Sequence, residues 1–184
     1  MGKGIVEKLK QEYVIEEEWV GYELHPETPP EGKLLRQMFP NYDPTTMIVN
    51  LNRAGAPYGI TFSPLELVAN TRLALEAGEF ARDAGLFEQA HECLLRAYFQ
   101  AGENVGDKET LLRLLGEIGL DRQALSEALD NGTYASRLQQ ARARARAHDV
   151  TALPTFVIEG SRDKIVGAKP YEAFKRLLDA HVNG

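Results

Sequence analysis

A chain of 184 residues, 43% hydrophobic and 26% charged, has the composition of a globular protein of one domain, or one domain with a large insertion. Its net charge of −6 argues against a nucleic-acid partner, which needs a basic face, and no apolar run approaches the length of a membrane span. The opening Met1-Gly2-Lys3-Gly4-Ile5-Val6-Glu7-Lys8 has no apolar signal core, and the one cysteine, Cys93, closes no internal disulfide, so a reduced, cytoplasmic setting is the expectation.

Ile5, Val6, Leu9 and Tyr13 recur at helical spacing and predict a short amphipathic helix, oddly begun by Gly2 and Gly4 with no capping side chain. Val14 to Leu24, rich in Val, Ile, Trp and Tyr, predicts a strand that stops at His25-Pro26, and the Pro-rich stretch to Gly32 predicts a loop. From there to about His148 the pattern is almost all helical. Leu34, Leu35, Met38 and Phe39 predict a short helix closed by Pro40, and a second runs from Pro44 to Ala54 before the breakers Gly55 to Gly59. Ser63-Pro64-Leu65-Glu66 has the form of a capping box, and Asn70 is a competing cap for the run through Leu73 and Ala81. Further helices follow over Leu86 to Gln100, after the cap Asp107, after the cap Asp121, and from Thr133 through Arg146.

The stretch Asp149 to Gly160 leaves a helix end, passes Leu153-Pro154 and enters a β-branched and aromatic strand, Thr155 to Ile158. A proline at a strand start costs no ladder hydrogen bond, and an X-Pro bond reaches the cis form cheaply. After the turn at Gly160 come Lys164-Ile165-Val166-Gly167-Ala168, then Pro170 and an amphipathic run to the C-terminus. Ala152-Leu153-Pro154-Thr155-Phe156-Val157-Ile158 followed by Ile165-Val166-Gly167-Ala168 and a Pro-initiated last helix resembles the C-terminal half of a thioredoxin-like domain. More narrowly it resembles the DsbA-like oxidoreductases, in the branch called FrnE-like. Trp19 to Pro26 is similar to their second strand, Asn70-Thr71-Arg72 and Leu94 to Phe99 to their insertion helices, and Ala145 to Ile158 to the approach to their cis-proline.

The resemblance implies an α/β thioredoxin-like fold with a large inserted all-helical domain, the first strand of the thioredoxin motif being absent. It implies thioredoxin-like parts over 1–30 and 149–184, with the insertion over 31–148. It implies a cis Pro154, flanked by Leu153 and Thr155, in a loop that binds the substrate peptide opposite a Cys-x-x-Cys. Here the chain departs from the pattern: it opens like the helix that follows the cysteine pair, and no catalytic residue lies within it. The expectation is a start about 10–20 residues short, one strand plus the motif; the alternative is a family member that has discarded its active site. In the family a thiolate at the helix N-terminus is stabilised by the dipole, forms a mixed disulfide, and the proline loop holds the bound chain as a strand. The implied partner is a protein or peptide bearing a thiol or disulfide, with no nucleic acid, no membrane and no cofactor, and the sheet edge left unpaired offers a route to a dimer.

Two rival readings share the fold. Glutathione-dependent isomerases of the 2-hydroxychromene-2-carboxylate type and kappa-class transferases carry a serine for the first cysteine and use glutathione as cofactor. A thioredoxin-like binding module would keep the proline loop for docking alone. Elsewhere the residues argue for little chemistry. Cys93 falls near an apolar stripe and reads as core filler, and His91, two residues away, points to another face. His25, His148 and His181 have no ligand spacing, so no metal site is expected. Arg137, Arg142, Arg144 and Arg146 wrap their helix and read as a solvated surface, and Glu16-Glu17-Glu18 and Glu23 read as surface positions of a strand.

Overall fold

Helix signals crowd the middle of the sequence, and regular structure is densest there in the computed structural model, which describes residues 1–41 and 43–182. The chain runs α1 (Gly2–Leu9), β1 (Lys33–Leu34), α2 (Leu35–Met38), α3 (Pro44–Gly55), a 3-10 turn (Ala56–Tyr58), β2 (Leu67–Val68) and α4 (Arg72–Asp83). It continues through α5 (Phe87–Phe99), α6 (Lys108–Glu117), α7 (Arg122–Asp130), α8 (Ala135–Ala147), β3 (Thr155–Val157), β4 (Lys164–Val166) and α9 (Tyr171–Val182). The short helix expected from Leu34 begins one residue later, because Lys33 and Leu34 bridge antiparallel to Val68 and Leu67.

Asp107 and Asp121 start helices as their sequence positions predict, and Asp43 does the same ahead of Pro44. Asp43 accepts from the Thr45 N–H at 3.0 Å, Asp107 from Thr110 at 2.8 Å, and Asp121 from Gln123 and Ala124 at 2.9 and 3.0 Å. Each such cap contributes about 1 kcal/mol. Of the two competing starts for α4, that at Asn70 holds: its side-chain oxygen accepts from the Arg72 N–H at 3.0 Å. The capping box at Ser63 caps nothing, because its hydroxyl donates to the Gln100 carbonyl and the chain beyond it extends into β2.

The insertion is built on α4, which packs against α5, α6, α7 and α8. Ala77, Ala81 and Ala90 are completely buried, and their small size lets the helices close on the buried Leu111, Leu115 and Leu125. Each such leucine contributes about 1.5–3 kcal/mol by leaving water. A second, smaller core joins Ile5 and Leu9 of α1 to Phe174 of α9, with Tyr13, Ile15, Tyr58, Phe156 and Ile165 around them. The rings of Phe156 and Phe174 meet edge to face, 4.8 Å apart. Tyr13 donates to Asp179 and Tyr171 to Glu12 across the same helix pair, at 2.7 and 2.8 Å. Burial and the bond to Glu12 push the Tyr171 phenol up to about 12.

The strand expected over Val14–Leu24 is not one. The segment is extended, with Ile15, Glu17 and Trp19 turned inward and Val14, Glu16, Glu18 and Val20 outward, but it pairs with no strand among the described residues. Alternating hydrophobicity reports a half-buried extended chain; a ladder needs a partner as well. Side chains hold it along α4 instead. Arg82 donates to the Trp19 carbonyl at 2.9 Å, Leu75 fills the space over Gly21, and Arg72 stands 3.7 Å from Glu23. Arg144 of α8 grips both oxygens of Glu18 at 2.7 and 2.8 Å. Glu23, read as a surface residue, is therefore drawn inward, its side chain 14% exposed.

Candidate functional site

The approach to Pro154 is fixed by how α8 stops. Asp149 takes a left-handed conformation (φ 50°), and the Asp149 and Val150 N–H groups donate back to the Arg146 and Ala145 carbonyls at 3.0 and 2.9 Å. This is the glycine-type helix ending with an aspartate at its left-handed position. Lys164 of β4 donates to the carbonyls of His148 and Asp149 at 2.7 and 3.1 Å, a cation set where the helix dipole is negative. The loop that follows is closed by Thr155, whose hydroxyl donates to the Ala152 carbonyl at 2.6 Å.

The Leu153–Pro154 peptide is cis. Pro154 is half-buried, and its carbonyl accepts the Gly167 N–H at 2.7 Å. Gly167, at φ 83°, turns the chain in a conformation that a side chain would strain. β3 and β4 pair antiparallel, Thr155 with Val166, Phe156 with Ile165 and Val157 with Lys164. Because Pro154 and Gly167 form a hydrogen-bonded pair, the alternation of the ladder makes Phe156 and Ile165 the next one. The N–H and C=O groups of Thr155 and Val157 therefore point out of the hairpin along the free edge of β3, beside the exposed Leu153.

The first turn of α1 meets this loop. A Cβ placed on Gly2 would lie 3.3 Å from the Pro154 Cβ and 3.5 Å from the Phe156 ring, and one on Gly4 only 2.8 Å from the Tyr58 Cβ. The glycines that look out of place at a helix start stand where a side chain would crowd Pro154, at Gly2, or clash with Tyr58, at Gly4. Lys3, between them, reaches Glu92 of α5 at 2.9 Å and Glu88 at 3.8 Å, tying the helix start to the insertion. Beside them His91 stacks on Phe87 and tilts against Trp19, at ring distances of 5.4 and 4.8 Å. Burial first, and then Lys3, lower its pKa. Burial likewise lowers that of the Met1 amino group.

The structure brings Leu153, Pro154 and Thr155 together with a helix N-terminus, which their sequence positions alone do not reveal; the pair of early glycines was the available signal. Cys93 lies in the insertion, packed on its core, with its thiol 3.7 Å from the Leu114 carbonyl. Burial pushes that thiol up, which keeps it protonated and unreactive. Arg137 and Arg144, expected to be merely solvated, are both in bidentate pairs, with Asp83 and Glu18. No group of three metal-ligating side chains occurs among the described residues.

A proline-led hairpin with two helices on one face and a helical block inserted before it defines a thioredoxin-like domain of the DsbA type. The family model described as DSBA-like thioredoxin domain matches residues 2–179, and the chain belongs to that family. It is 29% identical to the uncharacterized protein YwbO of Bacillus subtilis (strain 168), over 97% of this chain and 88% of that protein. Among solved structures it is similar in fold to a probable DsbA oxidoreductase of Streptomyces coelicolor, with a TM-score of 0.87. That likeness covers 96% of this chain and 81% of the other, at 21% identity.

Proposed function

We propose that the protein acts in thiol–disulfide exchange as a DsbA-family oxidoreductase of the FrnE-like branch, and that this chain holds the part that docks the substrate. Leu153, Pro154 and Thr155 bind a peptide bearing a thiol or disulfide. The exchanging cysteines are supplied by residues ahead of Gly2 in the full protein, and residues 1–184 by themselves dock peptides without exchanging their disulfides. The observation that carries this reading is the meeting of Gly2 with Pro154, which sets a helix N-terminus against an edge of free backbone groups. A thiol just before Gly2 would sit where the helix dipole and unpaired N–H groups favour the thiolate. In residues 1–184 alone the bound peptide would take its backbone partners from Thr155 and Val157; in the full protein the strand ahead of the cysteines would pair there, and the peptide would meet the Leu153–Pro154 loop. That the similar Bacillus and Streptomyces proteins are both longer than this chain, and that the latter is a probable DsbA oxidoreductase, supports it as well. We place the activity in the cytoplasm, on the support that Cys93, in residues 1–184, is a free thiol in no disulfide.

The test is made on the protein as its source produces it, with its start determined by intact mass. The expected form carries a Cys-x-x-Cys ahead of Gly2, reduces insulin with a dithiol donor, and loses that activity when the first cysteine becomes serine. A native protein that starts at Met1 and catalyses no exchange would overturn the exchange reading and leave a docking module. A serine in that place with thermal stabilisation by glutathione would replace it with the isomerase chemistry.

A further inference from the structure

The opposite edge of the hairpin carries a second surface. A groove of about 550 Å³ lies between β4 and the outer stripe of α9. Tyr171, Phe174 and Leu178 turn one side of α9 into the small core, whereas Ala173, Leu177 and Ala180, at helical spacing, line the groove with Val166. Its rim carries Lys169 and Arg176, both exposed and neither in an ion pair among the described residues. Lys164 is engaged with the carbonyls at the end of α8, and Asp163 accepts from the Ser161 hydroxyl at 3.1 Å, with His181 3.7 Å away. By the alternation that aims Thr155 and Val157 out of β3, the backbone groups of Lys164 and Val166 point out of β4 along this groove.

We propose that this groove docks an extended acidic segment of a partner protein. The free edge supplies strand-type hydrogen bonds, the apolar stripe takes the segment's aliphatic side chains, and Lys169 and Arg176 receive its carboxylates. Charge selects this occupant over a second copy. A symmetric pairing of two copies through β4 joins the same surface on both, so it brings two sets of Lys169 and Arg176 to one seam, and that excess of positive charge opposes it. The surface lies on the far edge from the proline loop and does not depend on the exchange reading.

The probe is fluorescein-labelled Glu-Glu-Leu-Val-Leu-Glu-Glu, blocked at its C-terminus, followed by anisotropy and by amide shifts in NMR. Saturable binding is expected, with shifts centred on Lys164, Val166 and Leu177, weakening as salt is raised. In the double variant Lys169→Glu, Arg176→Glu, both exposed positions, affinity should fall about tenfold or more, and the peptide with Lys for each Glu should not bind. Binding that survives the charge reversal, or shifts confined to Thr155 and Val157, would overturn the proposal. So would a dimer in sedimentation that the same reversal alters, or capture on phosphatidylglycerol vesicles without peptide binding.

Discussion

From α4 to α7 every helix leans on at least two others, whereas β3 lies against β4 on one edge and, among the described residues, against no strand on the other. The insertion holds the completely buried Ala77, Ala81, Ala90, Leu111, Leu115 and Leu125, and its contacts are between elements near in sequence. The thioredoxin-like part is thinner: Ile5 and Leu9 from one end of the chain meet Phe174 from the other and clasp a short hairpin. The region that carries the candidate site is thus the one with less to hold it.

Substitutions in the two cores test that contrast most strongly. Phe174→Ala should cost the small core about 3–5 kcal/mol. Hydrogen exchange should then show amides of β3 and β4 losing protection while α4 to α7 keep theirs; uniform loss would mean the two cores unfold as one. Leu115→Ala, in the larger core, should lower stability by about 2–5 kcal/mol in urea unfolding. A change under about 1 kcal/mol would contradict the packing of α6 on α4. Gly4→Ala sets a Cβ against Tyr58, and the crowding, about 1–3 kcal/mol, should outweigh the helix-propensity gain of about 0.5–1 kcal/mol. A higher melting temperature in that variant would show that α1 has room to shift.

His91 gives a pH readout of the junction between the regions. Burial lowers its pKa from 6.5, so below that value the unfolded chain binds a proton that the fold does not. Its contribution is present above pH 6.5 and is lost as pH falls through the folded pKa, so stability should rise with pH across that window. The charges around it are those of Lys3, Glu88, Glu92 and Arg82. The fluorescence of Trp19, the one tryptophan, should titrate with a midpoint below 6.5. His91→Leu should abolish that titration, and an unchanged curve would refute the assignment. The smallest effect is expected from Asp149→Gly, which relieves a left-handed aspartate and should add about 1 kcal/mol. No gain in melting temperature would mean that Lys164 compensates for it.

Much of this was legible in the sequence because it is local. Asp107 and Asp121 announce their helices through one side chain each, and Leu153-Pro154-Thr155 stands out through a proline before β-branched and aromatic residues. What escaped depends on partners far away in the chain. Val14 to Leu24 alternates as a strand does, but whether it forms a ladder is decided by a neighbour, and here α4 is that neighbour. Glu23 and Arg144 looked solvated because Arg72 and Glu18, which pair with them, are remote in sequence. Gly2 looked a poor helix start until Pro154 was placed beside it.

Peptide binding at the free edge of β3, beside Gly2, is tested most directly by an NMR titration of this chain with a short unstructured peptide, its cysteine replaced by serine. The largest amide shifts should fall on Thr155, Val157 and Gly2, and Thr155→Pro, which removes an outward N–H, should weaken binding. Shifts confined to α4 through α7, or none at millimolar peptide, would contradict it.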